Sequence, residues 1–190
     1  TVHYHIGLYA IPPAGSLNPE RLIDCVMLAH MESVASHETT TYNESLHDEL
    51  LKQKQLENLM DKALQNGEFQ VYLQPKYDLQ TYEVLGAEAL VRWQSPELGF
   101  LAPTAFMDLF EHNGFAIPLD YYMLETICRY QQERIAKGAT VLPISVNQSG
   151  LHFTEENYLK RMQAIADTYQ LPQGCLELEI TETASIDYQS

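Results

Sequence analysis

Apolar and polar positions change rhythm several times along the 190-residue chain. Residues 2–13, VHYHIGLYAIPP, alternate with the period of a strand and stop at a Pro-Pro break. Asn18-Pro19-Glu20 reads as the start of a helix with apolar positions at Leu22, Ile23, Val26, Met27 and Met31. Thr39 to Thr41 reads as a polar break. A broad apolar stripe of Leu46, Leu50, Leu56, Leu59, Met60, Ala63 and Leu64 then predicts a helix over 44–65, with Asn66-Gly67 as its stop. The pattern on its two sides differs, which marks it as a connector.

From Glu68 onward strands and helices alternate. Strands are expected over 69–77, 84–93, 142–149 and 175–183. Helices are expected over 103–113, stopped by Gly114, and 119–137, stopped by Gly138. A further helix should begin at a Thr154 cap, carry Glu155 and Glu156 in its first turn, and end at Leu171-Pro172. Strands separated by helices indicate a mostly parallel α/β sheet or barrel. The link between the first two strands, around 79–83, is too short for a crossover helix, so that pair is expected to be antiparallel. Four strands do not close a barrel, which generally takes about eight. Both chain ends are therefore expected to lie inside domains.

Composition changes this picture in three ways. Hydrophobic residues at 45% place the chain among globular proteins. The three cysteines, Cys25, Cys128 and Cys175, are widely spaced and odd in number, which fits reduced thiols better than a disulfide framework. A net charge of -15 argues against gripping DNA or RNA polymers through their phosphates. A small phosphate ligand stays possible, because a bound divalent metal reverses the local charge. No stretch approaches the ~20 apolar residues of a membrane span, and no basic-then-apolar leader opens the chain. Together these predict a soluble, acidic, cytoplasmic protein.

The chemistry follows from the two faces of each strand. Over 84–93, Leu85, Ala87, Ala89, Val91 and Trp93 share one face, and Glu88, Leu90 and Arg92 the other. Over 142–149, Leu142, Ile144 and Val146 oppose Ser145, Asn147 and Ser149. Over 175–183, Leu176, Leu178 and Ile180 oppose Glu177, Glu179 and Thr181. Over 69–77, Phe69, Val71 and Leu73 oppose Tyr72, Gln74 and Lys76. Helices should cover the leucine-rich side and leave the other face toward a barrel interior. Charge there is costly unless paired or bound to metal. Asn147 and Glu179 stand toward the C-terminal ends of their strands, the functional end of such a barrel, with Glu88 past the middle of its own. Three oxygen donors suit magnesium, manganese or calcium better than zinc or copper. The competing reading is an ordinary sheet with one wet face, where Glu177 and Glu179 are simply solvated.

The residue strings carry more. YLQPKYDL (72–79), GAEALVRW (86–93), SVNQS (145–149) and LELEITET (176–183) resemble, in order and spacing, the first four signature strands of EAL domains. PTAFMDLFEHNG (103–114) and LDYYMLETICRY (119–130) resemble the helices between them. The resemblance implies the first half of a TIM-like (β/α)8 barrel whose first strand is antiparallel. It also implies a phosphodiesterase that hydrolyses the second messenger cyclic di-GMP to linear pGpG in bacterial signal transduction. Two divalent metals, Mg2+ or Mn2+, would activate the phosphodiester.

By matching position, Glu88, Asn147 and Glu179 would be metal ligands, with Glu88, Glu179 and Glu182 in catalytic roles. Glu182 would be the second acid of an ExxE pair. Arg92 would contact a phosphate, and Gln74 and Leu90 would line the nucleotide pocket. A homodimer through the EAL domain is implied as well. Met107-Asp108 stands where many members carry Ile-Pro, which touches local pocket contacts only. The family's double-aspartate loop would follow the fourth strand, beyond Ser190, so this chain alone is expected to be inactive. HIGLYAIPP (5–13) with the following helix resembles the tail of a GGDEF (diguanylate cyclase-like) domain. The implied domains are a GGDEF-like remnant at 1–42, a connecting helix at 43–67 and a truncated EAL domain at 68–190.

Other residues weigh less. His3 and His5 share a strand face but lack a third metal ligand. His30, His37 and His47 show no partner pattern. Trp93 reads as core, Lys76 as a barrel-mouth residue and Glu177 as a structural ion-pair member. Two alternatives stand beside the enzyme. One is an inert EAL receptor or scaffold that binds cyclic di-GMP or a protein partner. The other is an unrelated metal-dependent barrel.

Overall fold

The structure is a computed structural model that describes residues 4–11 and 18–180, apart from the side chain of Ala35. It divides into two compact units, Thr1–Asn58 and Leu59–Ser190. The elements of the first unit are strand β1 (Gly7–Leu8), helix α1 (Pro19–Ser36), strand β2 (Thr40–Thr41) and the start of helix α2 (Glu44–Asn66). Asn18 caps α1 as its sequence suggests, its side-chain oxygen accepting from the Glu20 amide at 2.9 Å.

Two expectations change here. The strand read over 2–13 is only two residues long among the described positions, because its partner is the equally short β2, paired in parallel as Gly7 to Thr40 and Leu8 to Thr41. The polar break at Thr39 to Thr41 is thus partly a strand. The face of α1 that turns inward is Cys25, Ala29 and Ser33, while Ile23, Met27 and Met31 are exposed. Small residues are needed there because β1 lies almost on the helix: a Cβ at Gly7 would sit 2.3 Å from the His30 nitrogen.

The second unit starts in α2 and continues through strands β3 (Phe69–Tyr77), β4 (Val84–Ser95) and β5 (Gly99–Leu101). A 3-10 turn (Pro103–Ala105) leads into helices α3 (Met107–Asn113) and α4 (Ala116–Ala136). Strand β6 (Ile144–Gln148), a second 3-10 turn (Gly150–Thr154), helix α5 (Tyr158–Thr168) and strand β7 (Leu176–Ile180) follow. The sheet order is β3-β4-β6-β7, with β5 also on β4. β3 and β4 are antiparallel, as their short link requires, and β4, β6 and β7 are parallel. The result is an α/β fold with a mixed sheet. The stops expected at Gly67, Gly114 and Gly138 all fall at residues with positive φ.

β5 escaped the sequence reading, since three residues cannot display a period of two. The helix expected from a Thr154 cap begins later, at Tyr158. Thr154 Oγ1 donates back to the Leu151 carbonyl at 2.7 Å, which closes the 3-10 turn instead. α4 begins at Ala116 rather than Leu119, because Pro118 is tolerated in a first helical turn.

Two cores hold the unit. Phe69, Trp93, Phe106, Phe110 and Phe115 are all buried and form one aromatic cluster, with Phe110 and Phe115 in edge contact at 4.7 Å. Trp93 is completely enclosed, as its pattern suggests, and donates from Nε1 to Glu68 at 3.0 Å. Tyr121, Leu124, Cys128, Tyr158 and Met162 form the second, between α4 and α5. Among the described residues no helix is long and apolar enough to cross a membrane.

Candidate functional site

Strand register builds the site. Glu88 sits at the middle of β4, opposite Gln74 of β3 on one side and Ser145 of β6 on the other. Asn147, one pleat further along β6, pairs with Glu179 of β7, and Ser145 pairs with Glu177. Because β4, β6 and β7 run in parallel, residues of one parity meet on one face and form a row across the sheet. Gln74, Glu88, Asn147 and Glu179 therefore come together from four strands, although Glu179 follows Gln74 by more than a hundred positions.

Side-chain contacts tie the row together. Asn147 donates from Nδ2 to Glu88 Oε1 at 2.9 Å. Lys76 Nζ donates to Glu179 Oε1 at 2.6 Å and to Ser145 Oγ at 2.8 Å, and lies 3.9 Å from Glu177. The hydrogen bond from Lys76, helped by that from Ser145, holds the Glu179 carboxyl below its ordinary range. The same bond to Glu179 raises the Lys76 pKa against some desolvation, and the charges of Glu179, Glu177 and Glu88 add to it. Lys76, read from the sequence only as a mouth residue, is thus the cation at the centre of the acidic row. Its partner could not be read from local pattern.

Arg92 lies four residues along β4 from Glu88, about 13 Å at strand spacing. Its guanidinium sits 5.8 Å from the Tyr72 ring centre, and Nη1 donates to the Val91 carbonyl at 2.7 Å. Leu90, between Glu88 and Arg92, lines a cavity of about 640 Å³ shared with Asn147, Met107, Asp108 and Asp120. That volume is within the usual range for small-molecule sites. Met107 and Asp108, the two positions that depart from Ile-Pro, stand on its wall, so the departure falls where pocket contacts would be made. Glu182 lies outside the described residues, as does His3. His5 bonds the Ser33 carbonyl of α1 at 3.1 Å.

The donor set can be judged for a cation. Among the described residues no group of three His, Cys, Asp or Glu side chains is arranged to hold a metal ion. The converging set is two carboxylates and one amide, Glu88, Glu179 and Asn147. All are hard oxygen donors, which suit magnesium, manganese or calcium better than zinc. The Lys76 ammonium, itself a cation, already exploits the negative potential of this row.

The EAL domain family matches residues 57–190 of the chain. An uncharacterised protein of Synechocystis sp. is 31% identical over 94% of this chain and 26% of its own length. A cyclic di-GMP phosphodiesterase of Pseudomonas aeruginosa is 34% identical over 62% of this chain and 20% of its own length. The chain thus spans about a quarter or less of these two relatives. In structure it resembles the PaMucR phosphodiesterase in its c-di-GMP complex, with TM-score 0.64 and 29% identity over 70% of this chain and 54% of that one.

Proposed function

The chain belongs to the EAL domain family, and from that premise we propose that it is the metal- and nucleotide-binding part of a phosphodiesterase that hydrolyses cyclic di-GMP to linear pGpG. The observation that carries the proposal is the row of Glu88, Asn147 and Glu179 on three adjacent parallel strands. Two relatives described by name or title as phosphodiesterases support the choice of substrate.

Glu88, Asn147 and Glu179 would hold a divalent cation, Mg2+ or Mn2+, in a two-metal site. Bound there, the metal supplies Lewis-acid polarisation of the phosphodiester and a lower pKa for the attacking water. Arg92 offers a planar, permanently charged fork to a phosphate at the far end of the β4 face. Gln74 and Leu90 flank the nucleotide, and Glu182 serves as the second acid. Lys76 keeps Glu179 ionised and aimed at the row, ready to ligate.

The rest of the reading follows the family. Residues 68–190 form the first half of a TIM-like barrel, 43–67 a connecting helix, and 1–42 the tail of a GGDEF-like domain. The protein acts in the cytoplasm as a homodimer through its EAL domain. One observation favours a second reading, an inert receptor: the Lys76 ammonium already neutralises Glu179 at 2.6 Å, as a metal would.

The deciding experiment is hydrolysis of cyclic di-GMP, with Mg2+ and then Mn2+, in the longest form of the protein that carries this chain. Cleavage that is lost in Glu88→Ala is the expected outcome, a drop of at least a hundredfold being on the order of that for a metal ligand. Binding without cleavage would establish the receptor. Neither binding nor cleavage would overturn the cyclic di-GMP reading.

A further inference from the structure

Beside the C-terminal end of β6 lies a buried ionic cluster that none of these roles uses. His152, only 1% exposed, is held between two carboxylates. Its Nδ1 is 2.6 Å from Glu155 Oε2 and its Nε2 is 3.1 Å from Asp120 Oδ2. Tyr158 of α5 stacks on the ring at 4.6 Å, and Tyr121 of α4 meets it edge-on at 5.1 Å. Arg161 of α5 covers the far face of this group, 3.7 Å from the Tyr121 ring centre.

The protonation state follows from counting donors. A neutral imidazole has one N–H, so it would turn a bare nitrogen lone pair toward one carboxylate oxygen. Both of those oxygens are already acceptors. Asp120 Oδ2 accepts from the Ser149 amide at 2.6 Å, and Glu155 Oε2 from the Tyr121 hydroxyl at 2.9 Å. With both carboxylates ionised, the imidazolium satisfies every contact. Burial pulls the His152 pKa down, yet the hydrogen bonds to Asp120 and Glu155 and their charges outweigh it and leave it raised. The hydrogen bond from His152 likewise lowers the pKa of Glu155.

The cluster reaches the site through Ser149, two residues beyond Asn147. The Ser149 amide is bound by Asp120 of α4, and its hydroxyl donates to Glu111 of α3 at 2.5 Å. Gln148 accepts from the Tyr158 hydroxyl at 3.2 Å. The end of β6 is therefore pinned from α3, α4 and α5, and His152 holds the Asp120 carboxyl in place at 3.1 Å.

We propose that His152 is a positioning residue for the oxygen-donor row: as an imidazolium it clamps Asp120 to Glu155 and thereby fixes Ser149, the end of β6 and Asn147. The consequence for metal affinity rests on the function proposed above; the clamp itself does not. Because the folded pKa is raised, the clamp is fully present below the ordinary value of 6.5 and is lost as pH rises through the folded value.

Three readouts on the full chain test it. Nitrogen NMR of labelled histidine should show both ring nitrogens of His152 still protonated as pH rises past 6.5, with the signal absent in His152→Phe. Amide exchange at Ser149 should quicken in that variant relative to the aromatic core around Trp93. Mn2+ affinity, read by electron paramagnetic resonance, should fall on the order of tenfold. In the unmodified chain that affinity should also decline as pH passes the His152 pKa, and in the variant it should not. Glu155→Gln keeps an acceptor and removes a charge, so it should lower the pH at which the imidazolium signal disappears, even if the phenylalanine variant fails to fold. A His152 midpoint at or below 6.5, or unchanged Ser149 exchange, overturns the proposal. Unchanged Mn2+ affinity overturns its link to Asn147. A chain whose histidine behaves as stated but which never binds Mn2+ keeps the clamp and loses the metal reading of the site.

Discussion

Lys76 and Glu179 show what a single contact adds to a residue whose type alone says little. Both are near the surface, with side chains about 40% exposed at 41% and 42%, so solvent screens their attraction. The pair should be worth under about 1 kcal/mol. Its effect on titration is more visible. The folded pKa of Glu179 lies below its ordinary 4.5, so the pair stabilises the fold above that value and is lost as pH falls through the folded pKa. Lys76→Met should return the Glu179 midpoint toward 4.5, followed by carboxyl carbon NMR across the acid range. An unmoved midpoint would show that Lys76 does not bind Glu179 in solution. The residue types of the row, Glu88, Asn147 and Glu179, were legible from strand parity. The lysine's partner was not, because the contact joins residues 103 apart in sequence.

At the scale of elements, period and punctuation in the sequence located α1, α2, β3 and β4 closely. They did less well where tertiary contact overrode local preference. Thr154 has the chemistry of a helix cap, but Glu155, the residue after it, is drawn to His152 and Tyr121, and α5 starts at Tyr158. The pairing of β4 with β6 depends on one residue without a side chain. A Cβ at Gly86 would lie 2.6 Å from the Pro143 carbonyl oxygen, a backbone atom that accepts from the Ala87 amide at 3.0 Å. Gly86→Ala should therefore separate the two strands and destabilise the protein by about 1–3 kcal/mol. Urea unfolding measures this, and a variant as stable as the parent would mean that β6 can shift without cost. The same shift should move Asn147 away from Glu88.

For the whole molecule, burial decides reactivity more than composition does. All three cysteines are free and buried. Burial, with smaller contributions from Cys175 and Glu125, pushes the Cys128 thiol up to about 11, and burial also raises Cys175. A thiol-reactive dye at neutral pH should label the folded chain slowly and reach three thiols only in denaturant. Folded-state labelling as fast as in denaturant would contradict this packing. The sequence by itself determined the alternation of strands and helices, the antiparallel β3–β4 pair and which residues of each strand share a face. These depend on local spacing, turn length and side-chain chemistry. The tertiary structure alone decided that Asn147 bonds Glu88, that Lys76 meets Glu179, and that His152 is held between Asp120 and Glu155. Those contacts depend on the register of parallel strands joined through helices, and no local pattern sets which residues such strands bring side by side.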